Sequence, residues 1–208
     1  MKIIIRWILL VLIASGLIYG CTPRSRYERR LKQELASGIR YDSLFLGLYL
    51  GMSDKDFYTQ CWSLNQKGII KQSPNNQAVE YDHKDILKAS ATMQFYPEFE
   101  QGEIVEMPVR FSYKGWAPWN KELSSDNLQK DILEWFKKDY GDEFIAVKHP
   151  VHGIAYVKID GNRRITIFKQ DDFQVWAVFT DIMATGIRPD SASEAEIIDR
   201  EIIKDLEK

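Results

Sequence analysis

The chain has 208 residues, of which 45% are hydrophobic and 28% charged, and this composition excludes an intrinsically disordered or fibrous protein. A formal net charge of −2, with no domain-wide stripe of Lys and Arg, excludes the basic field on which nucleic-acid binding depends. The length suits one domain, or two small halves sharing a core.

Residues 1–20 have the layout of an export signal. Lys2 and Arg6 form a short basic start, Trp7 to Ile13 is unbroken apolar sequence, and Ala14, Ser15 and Gly16 are small residues leading to Cys21. The apolar run is short beside the roughly 20 residues of a spanning helix. Ile18-Tyr19-Gly20-Cys21 resembles the bacterial lipoprotein signal, in which an aliphatic residue, a small residue and Gly or Ala precede a cysteine that is lipidated and becomes the new N-terminus. Ile18, Gly20 and Cys21 fit that pattern; Tyr19 is bulkier than the residue usual there. The resemblance implies lipidation at Cys21, with acyl chains holding the following domain on a membrane.

Two other readings of the same stretch stay open. Cys21 is an ordinary thiol after a plain cleaved signal, or the apolar run remains as an uncleaved anchor. Arg24, Arg26, Arg29, Arg30 and Lys32 outnumber the charges before the run, which by the positive-inside rule favours a cytoplasmic domain. The same basic residues also suit anionic headgroups beside an anchor. Removal of residues 1–20 leaves 26 basic and 30 acidic residues, and Cys61 as the one cysteine besides Cys21. An internal disulfide is then not expected.

Residues 21–40 read as a basic tether and residues 41–189 as an α+β domain. Ser53 followed by Asp56 marks a helix start, Phe57, Cys61 and Leu64 share a face, and Gly68 stops the helix, which spans about Asp54 to Lys67. "AVEYDH", "ATMQFYPEF" and "IVEMPVRFSY" read as strands, the last placing Val105, Met107, Val109, Phe111 and Tyr113 on one face. Pro108 inside it points to an edge strand or a bulge. A second helix is capped by Ser124 or Ser125 and runs to about Tyr140, with Leu128, Ile132, Trp135, Phe136 and Tyr140 as its stripe and Gly141 as its stop. "FIAVKH", "IAYVKID", "RRITIFK" and "FQVWAVFTD" follow as strands separated by turn residues. The expected fold is therefore two helix-plus-antiparallel-meander halves, at about 41–115 and 120–185. A C-terminal amphipathic helix over 190–208 carries Ile198, Ile202 and Leu206 on one stripe, to dock on the domain or to seat in a partner's groove.

The helix-then-meander order and the phrase "LGLYLGMSDKDFY" resemble the small-lipoprotein fold of the barrel-assembly machinery and, in tandem, the β-lactamase-inhibitor-protein fold, over about Leu46 to Asp181. The chain also resembles lipoproteins of gut-type Gram-negative anaerobes. These resemblances imply a protein-binding or scaffold role without catalysis.

Little in the sequence carries chemistry. His149 and His152 in "KHPVHGI" lie between strands, and His83 sits near Asp82 and Asp85, yet none forms a spaced ligand set, so no metal or other cofactor is expected. Cys61 reads as a buried small hydrophobe and not as a nucleophile. No serine lies in a Gly-x-Ser-x-Gly elbow, and Asp171-Asp172 and Asp142-Glu143 read as turn formers. "YKGWAPWNKE" remains, where Trp116 and Trp119 in a loop either cover the core from outside or form an exposed patch for a partner protein or a sugar ring. The resulting expectation is a lipid-anchored cell-envelope binding or scaffold module in the periplasm, contacting the membrane through its N-terminal lipid and an envelope protein through its surface. The alternatives are a periplasmic hydrolase or glycan-binding protein, and an uncleaved membrane-anchored protein with a cytoplasmic domain.

Overall fold

The computed structural model describes residues 23–74, 78–83, 87–149 and 151–184. The signal segment, Cys21 and the C-terminal helix read over 190–208 lie outside the described residues. Among those described, no helix is long and apolar enough to cross a membrane.

The fold is α+β: among the described residues there are three α-helices and one large antiparallel sheet. The helices are α1 (Pro23–Ser37), α2 (Asp54–Gln66) and α3 (Ser125–Tyr140). The strands are β1 (Ile70–Gln72), β2 (Val79–His83), β3 (Ala91–Phe95), β4 (Glu98–Glu100), β5 (Glu103–Tyr113), β6 (Ile145–His149), β7 (Gly153–Asp160), β8 (Arg163–Lys169) and β9 (Gln174–Asp181). Their spatial order is β1-β2-β3-β5-β9-β8-β7-β6, with β4 pairing β5. The last strands to follow α2 and α3, β5 and β9, therefore meet at the centre, in register from Glu106↔Thr180 to Ser112↔Gln174.

Local chemistry sets the helix starts and stops. Ser53 Oγ accepts the Asp56 N–H at 3.1 Å and donates to the Asp56 carboxylate at 2.8 Å, satisfying an otherwise orphaned donor of α2. Gly68 and Gly141 follow α2 and α3 with φ of +67° and +93°, conformations that a side chain disfavours.

One sheet face carries the main core. Met93, Phe95, Met107, Val109, Phe111, Ile165, Ile167, Val175, Ala177 and Phe179 meet Phe57 of α2 and Leu128, Ile132 and Phe136 of α3. Each such Phe contributes roughly 1.5–3 kcal/mol by leaving water. Leu44, Leu48, Leu50 and Met52 complete this core from the strap between α1 and α2.

Three features depart from the sequence reading. Most of the basic stretch at 21–40, Pro23–Ser37, forms α1 instead of a tether, and its Tyr27, Leu31 and Leu35, spaced at i, i+4 and i+8, pack a second cluster against Val157, Ile159, Phe168 and Val178 on the opposite sheet face. Its run of arginines hides this stripe from a reading by composition. "ATMQFYPEF" is two strands, broken at Tyr96-Pro97, and β5 is central instead of peripheral. Pro108 stands opposite that break, between the Phe95↔Val109 and Glu98↔Glu106 pairs, so no strand residue on that side needs its missing donor. The register shift at β4 also turns Ile104 into the core in place of Val105.

Candidate functional site

An open cleft of about 800 Å³ lies at the end of the sheet where the β6–β7 and β8–β9 turns approach the N-terminus of α3. Gly115 at φ +77° ends the β5 strand geometry and turns the chain into the Trp116–Asn120 loop. Trp116 is half-buried and rests on Phe173 of the β8–β9 turn, ring centroids 5.2 Å apart at 42°. Trp119 is 84% exposed on the same loop, although it is not part of the cleft lining. This exposure does not fit the reading in which both indoles cover the core: Trp116 is half-buried, whereas Trp119 is largely in solvent.

The polar wall is pre-organised by internal bonds. Asp126 pairs with Lys169 across the cleft. Asp171 Oδ1 accepts the N–H groups of Phe173 at 2.9 Å and Gln174 at 2.7 Å, fixing the turn on which Trp116 leans. The Asp172 carbonyl accepts the Ser125 N–H at 3.1 Å, tying that turn to α3. Asn127 donates to the carbonyls of Lys121 and Glu122 at 3.1 and 3.2 Å, holding the short 3-10 turn that follows the tryptophans. Asp126 and Asp171 are thus engaged in an ion pair and a turn. This arrangement offers a flat aromatic face beside amide and carboxylate groups, a recognition surface in chemical terms.

A second concavity, of about 570 Å³ and more apolar, lies between α2 and β1–β2. It is lined by Phe57, Tyr58, Cys61, Trp62, Ile70 and Tyr96, among others, and Trp62 is 68% exposed at its rim. The Tyr58 and Tyr96 hydroxyls are 2.7 Å apart, and that hydrogen bond is the main cause raising the Tyr96 pKa. Cys61 sits here half-buried, and burial pushes its thiol up to about 11, so it is protonated and weakly nucleophilic near neutrality. This grouping escaped the sequence reading because Tyr58 and Trp62 lie beside the buried stripe of α2, while Tyr96 arrives from the strand break. Off-stripe aromatics at i and i+4 were the available signal.

His149 and His152 pack together in the fold. His149 is buried, its Nδ1 accepts the N–H groups of Val151 and His152 at 3.2 and 2.9 Å, and its ring stacks on His152 at 4.8 Å. A nitrogen accepting two backbone donors does not simultaneously ligate a metal. Among the described residues no group of three His, Cys, Asp or Glu is placed to hold a metal ion. Comparison with protein-family models, with curated proteins and with solved structures finds no match to the chain.

Proposed function

We propose that the chain is a lipid-anchored protein of the cell envelope, attached through Cys21, whose domain is a binding module that presents the Trp116–Trp119 loop to an envelope protein. We read the domain as two helix-plus-meander halves, α2 with β1–β5 and α3 with β6–β9, joined through β5 and β9. The observation that carries the binding role is Trp119, 84% exposed beside a cleft already braced by Phe173 and Asp171. Large aromatics on a held surface are the residues that dominate protein interfaces.

The experiment is the intact mass and membrane partition of wild type and Cys21→Ala expressed in a Gram-negative host. Loss of residues 1–20, a mass gain from acyl chains and release of the mutant from membranes are the expected results. An unprocessed, membrane-bound wild type overturns the lipid anchor. A second reading, glycan binding, is favoured by the Trp116 face lying beside Asn120, Asp126 and Asn127. Indole fluorescence titrated with oligosaccharides separates the two, since stacking on a sugar perturbs Trp116 and a protein-only site leaves it unchanged.

A further inference from the structure

The sequence distance between the proposed anchor and α1 is two residues. Two Cα steps of about 3.8 Å keep Cys21 within about 7.6 Å of Pro23, the first residue of the helix. That helix is not a free spacer. Tyr27, Leu31 and Leu35 seat it in the second apolar cluster. Arg30 donates to the Ile159 carbonyl at 3.3 Å and pairs with Glu143 at 2.8 Å, and the Glu34 carboxylate accepts the Gly161 N–H at 2.7 Å.

With the apolar stripe turned to the sheet, the outer surface of α1 is polar and basic. Arg26, Arg29, Lys32, Gln33 and Ala36 are exposed there, while Arg30 and Glu34 turn toward the domain. Residues 23–37 contain five basic and two acidic side chains, whereas residues 38–208 contain 21 basic against 28 acidic. A net positive balance in an otherwise net-acidic chain thus sits on one docked helix, next to the point where the proposed membrane anchor ends.

We infer that the outer face of α1 lies on the bilayer and contacts anionic phospholipid headgroups, so that the anchor fixes the orientation of the whole domain. This rests on residues 1–22 carrying the membrane attachment, whether by acylated Cys21 or by a retained apolar run. Charge complementarity selects anionic lipid over a zwitterionic surface, and the two-residue separation keeps this face within reach of the headgroups. Because α1 packs on the sheet face opposite α2 and α3, the sheet separates those two helices from the lipid surface.

The test uses the full chain carrying Cys61→Ala, with a fluorophore placed by Ala36→Cys on α1 or by Lys130→Cys on α3, both exposed positions, and with Cys21→Ser added wherever the intact mass shows unprocessed protein with a free Cys21 thiol. Each protein is reconstituted into phosphatidylglycerol-containing vesicles with a headgroup-linked quencher, and its intact mass is recorded. Several-fold stronger quenching at position 36 than at 130 is expected. That difference disappears in Arg26→Glu/Arg29→Glu/Lys32→Glu, in wild type at high salt, and in purely phosphatidylcholine vesicles. The salt arm needs no variant, so misfolding of the triple mutant leaves the test intact. Equal quenching at both positions, or a difference indifferent to salt and lipid charge, overturns the inference. Equal quenching on acylated protein removes the orientation and leaves the lipid anchor standing. Unequal, salt-sensitive quenching on unprocessed protein supports the orientation and removes lipidation.

Discussion

The side-chain carbonyl of Asn162 accepts the backbone N–H of Tyr41 at 2.6 Å, binding the strap that follows α1 to the β7–β8 turn 121 residues away. The same amide donates to Asp42 at 2.8 Å and Asp181 at 3.1 Å, and Arg40 bridges those two carboxylates at 2.9 and 2.6 Å. Asn162 is fully buried, so Asn162→Ala leaves the Tyr41 donor and two carboxylates short of a partner. Urea unfolding of this variant should show a loss of about 3 kcal/mol. A loss below about 1 kcal/mol would show that the Arg40 bridges and the strap's core contacts hold it without Asn162.

Gly161, in the same turn, has φ +53°, and a Cβ there would lie 2.2 Å from the Ile39 carbonyl oxygen, which is backbone and cannot swing away. Gly161→Ala therefore adds a steric clash to the roughly 1–2 kcal/mol cost of a left-handed alanine. Thermal unfolding should show a larger destabilisation than Gly102→Ala, where φ is +83° but nothing lies within 4 Å. Equal effects would assign the whole cost to backbone conformation.

The elements legible in the sequence are those whose signal is local. The Ser53 cap and the Phe57–Leu64 stripe of α2, and the Leu128–Ile132–Phe136 stripe of α3 with its Gly141 stop, specify their own helices. Alternation likewise placed Met107, Val109, Phe111 and Tyr113 on the core face of β5. What stayed hidden depends on partners distant in the chain. α1 is marked by a buried stripe of only three apolar residues, whose packing surface is built from β6, β7, β8 and β9, more than a hundred residues later. The central place of β5 needed the pairing with β9, which overrides the edge preference of Pro108. At the cleft, Trp116 and Trp119 were legible as loop aromatics, but the Phe173 support and the Asp126–Lys169 pair arise only from folding.

The two loop tryptophans should separate in stability measurements. Trp119 has few contacts to lose, so Trp119→Ala should change unfolding free energy by less than about 0.5 kcal/mol. Trp116→Ala removes the Phe173 contact and should cost about 1 kcal/mol. A marked loss from Trp119→Ala in the membrane-attached protein, compared with the detergent-solubilised one, would mean that the membrane itself covers this indole.

Alkaline pH should weaken the fold. Burial raises the Cys61 thiol from 9.0 to about 11, and burial is also the largest cause raising the Tyr113 and Tyr140 hydroxyls above 10.0. In each case the folded state holds its proton more tightly than the unfolded chain. The contribution is therefore fully present below the unfolded pKa and is lost as pH rises through the folded one. Urea midpoints should be level up to about pH 9 and fall above it, with Cys61→Ala removing the earliest part of the fall. A midpoint independent of pH between 8 and 11 would contradict burial of these groups.

Asp131 provides a test of which contact matters in a buried cluster. Its Oδ2 accepts the Tyr113 hydroxyl at 2.5 Å and the Lys88 N–H at 3.3 Å, and its Oδ1 meets Lys88 Nζ at 2.9 Å. These bonds tie α3 to β5 and to the segment before β3. The carboxylate is almost fully buried, but the Lys88 side chain is 72% exposed, so water screens the ion pair. Lys88→Ala should accordingly cost less than about 1 kcal/mol. Tyr113→Phe leaves a buried carboxylate oxygen without its hydroxyl donor and should cost about 2 kcal/mol. In a double-mutant cycle, Asp131→Asn should couple more strongly to Tyr113→Phe than to Lys88→Ala, because only the hydroxyl bond lies wholly out of water. The reverse order would make the Lys88 ion pair the stronger of the two ties made by Asp131.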